Sequence, residues 1–203
     1  MTKEVMIQGT SGPFETFVAQ WLRMKGYLVQ TPVNYRREGG EIVKGRFWSD
    51  IDIVGTRGNE VVIVECQESL TQSQEDTKNK LERKFKDAMG FLASLGVTEG
   101  KNVILYFAMV HENKGFEKEL MTLGRKLGKS ITHITFDNIT NEMIQFISLY
   151  ISPTHIGRFT EPVTWFLSRL IYNDWIGKLV NCPQCSSEVY DDNYCPSCGK
   201  KLH

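Results

Sequence analysis

Asp50, Asp52, Glu65 and Gln67 stand within SDIDIVGTRGNEVVIVECQES, residues 49–69, where apolar residues otherwise fill two short runs joined by the turn TRGNE. Side chains alternate in direction along a strand, so Glu65 and Gln67 share one face and Cys66 points the other way. Asp50 and Asp52 likewise share a face of their own strand. Pairing of the two strands through the turn would bring the acidic ends to one patch. Desolvated carboxylates a few ångströms apart repel, and burying them is costly unless a cation sits between them. Hard divalent cations with oxygen ligands, Mg²⁺ (or Mn²⁺), suit such a patch. Metal at paired acids stabilises charge and generates hydroxide in phosphodiester hydrolysis. The plainer alternative has Asp52 and Glu65 ending their strands at the solvent edge, with Asp50 solvated.

The C-terminal stretch NCPQCSSEVYDDNYCPSCGKKLH carries the more specific pattern. Cys182, Cys185, Cys195 and Cys198 form C-x₂-C-x₉-C-x₂-C, with Pro after the first cysteine of each pair and Gly199 after the last. Two such turns aim four thiolates at one ion and complete a tetrahedron around Zn²⁺ with no open position, so the zinc is expected to be structural. So short a module has no core of its own, and metal binding would supply its folding energy. The pattern resembles a zinc ribbon with EVY and NY as hairpin strands. Three uses of the module stand open: a grip on nucleic acid through Lys200 and Lys201, contact with a partner protein, or bracing of the main domain; His203 is redundant beside four sulfurs.

The elements that must position the acids follow from periodicity. SGPFETFVAQWLRMKGY opens a helix with Pro13 in its first turn, an apolar face of Phe14, Phe17, Val18, Trp21 and Leu22, and Gly26 as its stop. YLVQTPVNYRRE reads as extended and GGEIVKGR as a flexible connection. Strands are expected around 48–55 and 60–67, then a helix with Leu81, Phe85, Ala88 and Leu92 on one side. NVILYFAMV and SITHITF read as strands; GFEKELMTLGRKLG and NITNEMIQFISLY read as helices. Alternating strands and helices imply an α/β layer sandwich around a mixed sheet.

The expected organisation is a main domain over 1–150, a connector or packing segment over 151–180 and the cysteine module over 181–203. Length and an ordinary mixture, 41% hydrophobic and 24% charged with zero formal net charge, give a globular chain whose whole-molecule charge neither favours nor excludes a nucleic-acid partner. No apolar run reaches bilayer length and MTKEVMIQGTSG lacks a signal-peptide core, so a cytoplasmic protein with no membrane partner is expected. The aromatic patch Trp165, Phe166 and Trp175 is a candidate homodimer contact. His111 and His133 lack a metal-like spacing and read as ordinary residues.

An early Glu on a first helix, then Asp on one strand and Glu-x-Gln on the next, resembles the PD-(D/E)XK nuclease superfamily. The likeness is to its Holliday-junction-resolvase-like and Mrr-type restriction-endonuclease branches, over about residues 10–150 in element order and a motif of a few residues. The resemblance implies a restriction-endonuclease-like mixed sheet flanked by helices, plus the small zinc ribbon. It implies Asp52, Glu65 and the main-chain carbonyl of Cys66 as metal ligands, and Glu15 as the first-helix acid that assists metal or water. Glu15 equally suits a helix start on dipole grounds alone.

Gln67 falls where the family usually carries the lysine that polarises the attacking water. Glutamine can orient water but brings no positive charge. The lysine is then replaced by Lys78 on the following helix, or by a second metal, or catalysis is lost. Lys78 has a plain alternative as a surface lysine paired with Glu82. The function implied is a Mg²⁺-dependent nuclease acting on nucleic acid, DNA above all. The rivals are a catalytically inactive nucleic-acid-binding member of the same fold and a protein-interaction adaptor.

Overall fold

The computed structural model describes residues 5–6, 11–36, 48–68, 73–111, 114–150, 167, 179–190, 198 and 200–201. The chain divides into two compact units, Met1–Asp137 and Asn138–His203. The connector expected over 151–180 lies almost wholly outside the described residues, as do Trp165, Phe166, Trp175 and Cys195. No helix among the described residues is long and apolar enough to cross a membrane.

The first unit begins with the short strand β1 (Val5–Met6) and helix α1 (Pro13–Met24). Pro13 occupies the first turn of α1, where its missing N–H costs no hydrogen bond. Glu15 closes that turn by accepting from the Gly12 N–H at 3.1 Å. The expected face of α1 is buried: Phe14, Phe17, Val18, Trp21 and Leu22 are all below a tenth exposed. The helix ends at Lys25, and Gly26 follows with φ +84°, a left-handed conformation that disfavours any side chain.

Strands β2 (Leu28–Gln30), β3 (Val33–Arg36), β4 (Trp48–Ile51), β5 (Ile53–Arg57) and β6 (Glu60–Gln67) come next. The single strand expected over 48–55 is two. The chain breaks at Asp52: β4 joins β3 and β1 in a three-stranded sheet, whereas β5 belongs to a five-stranded sheet ordered β2-β5-β6-β7-β8. Asp52 therefore shares no uninterrupted strand with Asp50. It occupies the bend where the chain leaves one sheet for the other.

Helix α2 (Gln74–Ser94), β7 (Asn102–Met109), α3 (Glu117–Leu127) and β8 (Ile131–Thr135) complete the larger sheet. β5 runs antiparallel to β2 and β6, while β6, β7 and β8 run parallel through the two helical crossovers. The fold is thus a mixed α/β structure with helices flanking a mixed sheet. One core packs Val61 and Ile63 of β6 and Leu105 and Phe107 of β7 against Leu81, Phe85, Ala88 and Leu92 of α2 and Leu120 and Leu123 of α3. Each of these Val, Ile, Leu and Phe side chains contributes about 1.5–3 kcal/mol of burial. Trp21 of α1 meets Tyr106 edge-on, with ring centroids 5.7 Å apart.

In the second unit, most of helix α4 (Phe136–Tyr150) buries Ile139, Met143, Ile144 and Ile147 at helical spacing. Strands β9 (Leu179–Asn181) and β10 (Glu188–Tyr190) pair antiparallel, with Val180 opposite Val189. EVY is a strand as expected. Its partner is LVN, upstream of the first cysteine, and Asn193–Tyr194 lie outside the described residues.

Gly124 lets α3 lie close to the chain entering β8. A Cβ there would stand 2.7 Å from the Lys129 carbonyl oxygen, which is backbone and has little room to give. Alanine gains up to about 1 kcal/mol of helix propensity, but overpacking costs about 1–3 kcal/mol. Gly124→Ala is therefore expected to lower stability in urea unfolding; a stabilised variant would show that α3 can lift off the chain freely.

Candidate functional site

Asp52 and Glu65 meet at the end of the β5–β6 pair. Ile53 is paired with Val64 in antiparallel register, so the next step outward sets position 52 opposite position 65. Both carboxylates are buried, with Asp52 5% and Glu65 2% exposed. The Cys66 N–H donates to Asp52 Oδ2 at 2.7 Å. Thr31 Oγ1 donates to the Asp52 carbonyl at 2.7 Å and lies 2.8 Å from Ser11 Oγ. The bend at Asp52 is thereby held at both its main chain and its side chain.

The counter-charge is Lys84 on α2. Its Nζ lies against Glu65 Oε2, 3.4 Å from Asp52 Oδ1 and 4.0 Å from Asp50 Oδ1. Burial alone would lower the Lys84 pKa, but the carboxylates of Glu65, Asp52 and Asp50 outweigh it, and the group is held firmly as the cation. Glu65 moves the other way from an ordinary carboxyl. Burial, and then the charge of Asp52, push it well above its usual range, with Lys84 opposing. Glu65 Oε1 is buried and finds no hydrogen-bond partner among the described residues. An acceptor so placed is expensive, and a hard cation is the ligand it fits.

Lys78 is not the lysine at this site. It pairs with Glu75 in its own turn and with Glu119 of α3 at 2.9 Å. At about 100° per residue, Lys78 and Lys84 lie on opposite flanks of Leu81, about 60° to either side. The flank that carries Lys84 faces the acids, and the flank that carries Lys78 faces α3. The sequence LERKFKDA offers Arg83, Lys84 and Lys86 within four positions. Only the rotation of α2 about its buried stripe selects among them, and adjacency to the core residue Phe85 is shared by Lys84 and Lys86 alike.

The other expected residues fall as follows. Glu15 sits within electrostatic reach: burial, then Asp52, raise its pKa, while its bond from Gly12 works against them. Its carboxylate is engaged in capping α1. Asp50 is the outermost acid, its side chain 53% exposed. Gln67 ends β6 two residues beyond Glu65, level with Met109 of β7. Burial and the charges of Asp52 and Glu15 push the Cys66 thiol well up, so it is an inert side chain. His111 is exposed, and His133 stacks on Phe107 with centroids 6.1 Å apart.

A second, separate cluster lies in the other unit. The sulfurs of Cys182, Cys185 and Cys198 lie within 4.8 Å of one another and could hold a metal ion; among the described residues it is the only such group of three or more His, Cys, Asp or Glu side chains. Cys182 and Cys185 flank a tight turn in which the Ser186 N–H donates to the Cys182 carbonyl at 2.8 Å and the Cys182 N–H to the Ser187 carbonyl at 2.9 Å. Ser186 has φ +57° there. Hydrogen bonding to the Ser187 hydroxyl, and then its backbone, brings the Cys185 thiol down to about 6, and backbone hydrogen bonding from Cys185 lowers Cys182. Thiols biased toward thiolate are prepared for a soft or borderline cation.

No protein-family model matches the chain, and no curated protein matches it either. Among solved structures, the protein of unknown function AF1548 is similar with a TM-score of 0.43 and 12% identity, over 75% of this chain and 77% of that one. Protein VC1899 from Vibrio cholerae is similar with a TM-score of 0.35 and 18% identity, over 59% of this chain and 28% of that one.

The raised Glu65 carboxyl has a consequence for stability. The folded chain keeps that proton above pH 4.5, where the unfolded chain has released it, so this group's contribution declines as pH rises from 4.5 through its folded value. Glu65→Gln removes the loss. In metal-free buffer with chelator, urea unfolding of the variant relative to wild type is expected to shift in the variant's favour between pH 4.5 and 8. A shift in wild type's favour would mean that Lys84 more than offsets desolvation.

Proposed function

We propose that the chain is a metal-dependent nuclease of the PD-(D/E)XK kind, hydrolysing phosphodiester bonds in nucleic acid, DNA above all. The observation that carries this reading is the pair of buried carboxylates, Asp52 and Glu65, opposed across two strands with one lysine ammonium among them. A structural ion pair would need one acid. Two acids and an orphaned carboxylate oxygen describe a place for a further cation.

Asp52 Oδ1 and Glu65 Oε1 are the oxygens that would hold it, with the Cys66 main chain as the third ligand the resemblance implies. Bound Mg²⁺ or Mn²⁺ supplies Lewis-acid stabilisation of the developing charge and lowers the pKa of water. The chain's own groups do the positioning. The Cys66 N–H fixes the rotation of the Asp52 carboxylate, and Gln67 offers hydrogen bonds to water from the next position on the Glu65 face. Lys84 brings to the acids, from α2, the positive charge that Gln67 does not carry. It is suited to hold a water or a non-bridging phosphate oxygen in line for attack. The argument for a catalytically silent, nucleic-acid-binding protein rests on the lysine missing from β6, and Lys84 weakens it.

The three clustered cysteines support a structural zinc site that Cys195 would complete as the fourth thiolate, with Lys200 and Lys201, next in sequence, proposed to contact the nucleic-acid backbone.

With Mn²⁺ or Mg²⁺ and a panel of DNA and RNA forms, Asp52→Asn and Glu65→Gln are each expected to reduce cleavage at least about 100-fold. Lys84→Gln should lose about 100- to 1,000-fold through the missing charge. Melting curves matched to wild type exclude misfolding as the cause. Equal cutting by wild type and the Asp52→Asn, Glu65→Gln double variant would remove this site from the reaction.

For the cysteine cluster, elemental analysis of the purified chain is expected to give about one zinc per chain, released by a thiol-blocking mercurial. Cys185→Ser should lower that content. Zinc retained after all thiols are blocked would sink the assignment.

A further inference from the structure

We infer that Lys84 is the resident counter-ion of the cation site, and that a divalent ion enters only as the Lys84 ammonium leaves. The inference deepens the nuclease reading and rests on it. Lys84 Nζ touches Glu65 Oε2 and stands 3.4 Å from Asp52 Oδ1 and 4.0 Å from Asp50 Oδ1. Asp52 Oδ1 is one of the two oxygens proposed to hold the ion, and Glu65 Oε2 belongs to the carboxylate whose other oxygen, Oε1, is the second. The side chain is 17% exposed and reaches the acids from a separate element, α2, with nothing covalent tying it to β5 or β6.

An ammonium and a divalent ion sharing two carboxylates would stand a few ångströms apart. At that separation in a partly buried site, their repulsion outweighs a further hydrogen bond to either acid. The flexible four-carbon stem of lysine allows retreat without moving the helix. In the metal-free chain the ammonium keeps two desolvated acids from facing each other unscreened. In the loaded chain it is expelled toward the open side of the site, where a substrate phosphate is the anion it would meet. The divalent ion therefore binds against an occupant, and its affinity is lower than the acids alone would give.

Calorimetric titration of Mn²⁺ into the metal-free full chain tests this, with Asp52→Asn as the control for binding elsewhere. Lys84→Gln keeps a hydrogen-bond donor and removes the charge. It is expected to bind Mn²⁺ at the Asp52-dependent site at least about tenfold more tightly than wild type. It would do so while losing cleavage. Equal or weaker binding by Lys84→Gln overturns the inference and leaves the metal site standing. No Asp52-dependent Mn²⁺ binding in either protein overturns both this inference and the nuclease reading.

A wild-type measurement covers failure of the variant to fold. Acylation of Lys84, followed by mass spectrometry, is expected to rise several-fold when Mn²⁺ is added and not to rise in Asp52→Asn. Unchanged or reduced labelling of wild-type Lys84 on adding Mn²⁺ overturns the displacement.

Discussion

Two carboxylates desolvated by the end of a sheet, and the Lys84 ammonium delivered to them by a helix, set the terms for the rest of this molecule. A buried acid without a partner is among the costliest features a fold can hold. Here Glu65 is almost fully enclosed and Asp52 nearly so, with only Lys84 and one main-chain N–H among their described partners. Apolar residues of the same shape would give a more stable sheet end. The charges are therefore hard to understand as structural devices, and that is what favours the proposed reading of a site for a cation.

Keeping the acids together takes more than strand register. The bend at Asp52 transfers the chain from the three-stranded sheet to the five-stranded one, which frees that residue's side chain from a regular pleat. Thr31 holds the carbonyl at the bend and the Cys66 N–H holds the carboxylate, so a residue outside any strand is nonetheless fixed. Glu15 approaches from α1 and adds negative potential rather than relieving it. The result is an excess of acid around the Lys84 ammonium. It also explains why Lys84 stays charged at a position where burial acts against it.

Much of this was legible in the residue pattern, for definite reasons. Continuous apolar runs such as NVILYFAMV mark strands covered on both faces, and the Leu81–Phe85–Ala88–Leu92 spacing marks a helix buried along one stripe. The sheet and its crossovers follow from those periods. The break at Asp52 was hidden because SDIDIV keeps its alternation across the bend; what changes there is the pairing partner, a long-range property. The partner of EVY was missed for the same reason, since LVN precedes the cysteine turn. Lys84 was missed because helical rotation is set by packing, and Lys78 satisfies the same linear criterion of a basic residue ahead of an apolar stripe.

Carrying the lysine on a helix instead of on β6 changes what controls the site. A lysine two residues after the second acid would move rigidly with that acid, whereas Lys84 moves with α2. Its position then depends on Leu81 and Phe85 seating the helix against Val61 and Ile63. It depends also on the ties from α2 to α3, Lys78 to Glu119 at 2.9 Å and Glu82 to Lys126 at 2.7 Å. Partly exposed pairs of this kind contribute little stability. They do oppose rotation of α2 about its own axis, and rotation is the motion that would swing Lys84 away from the acids. Gln67 remains on the strand as a neutral hydrogen-bonding group. The ammonium thus sits on an element separate from the acids' strands, and Gln67, proposed to orient water, on the strand that carries Glu65.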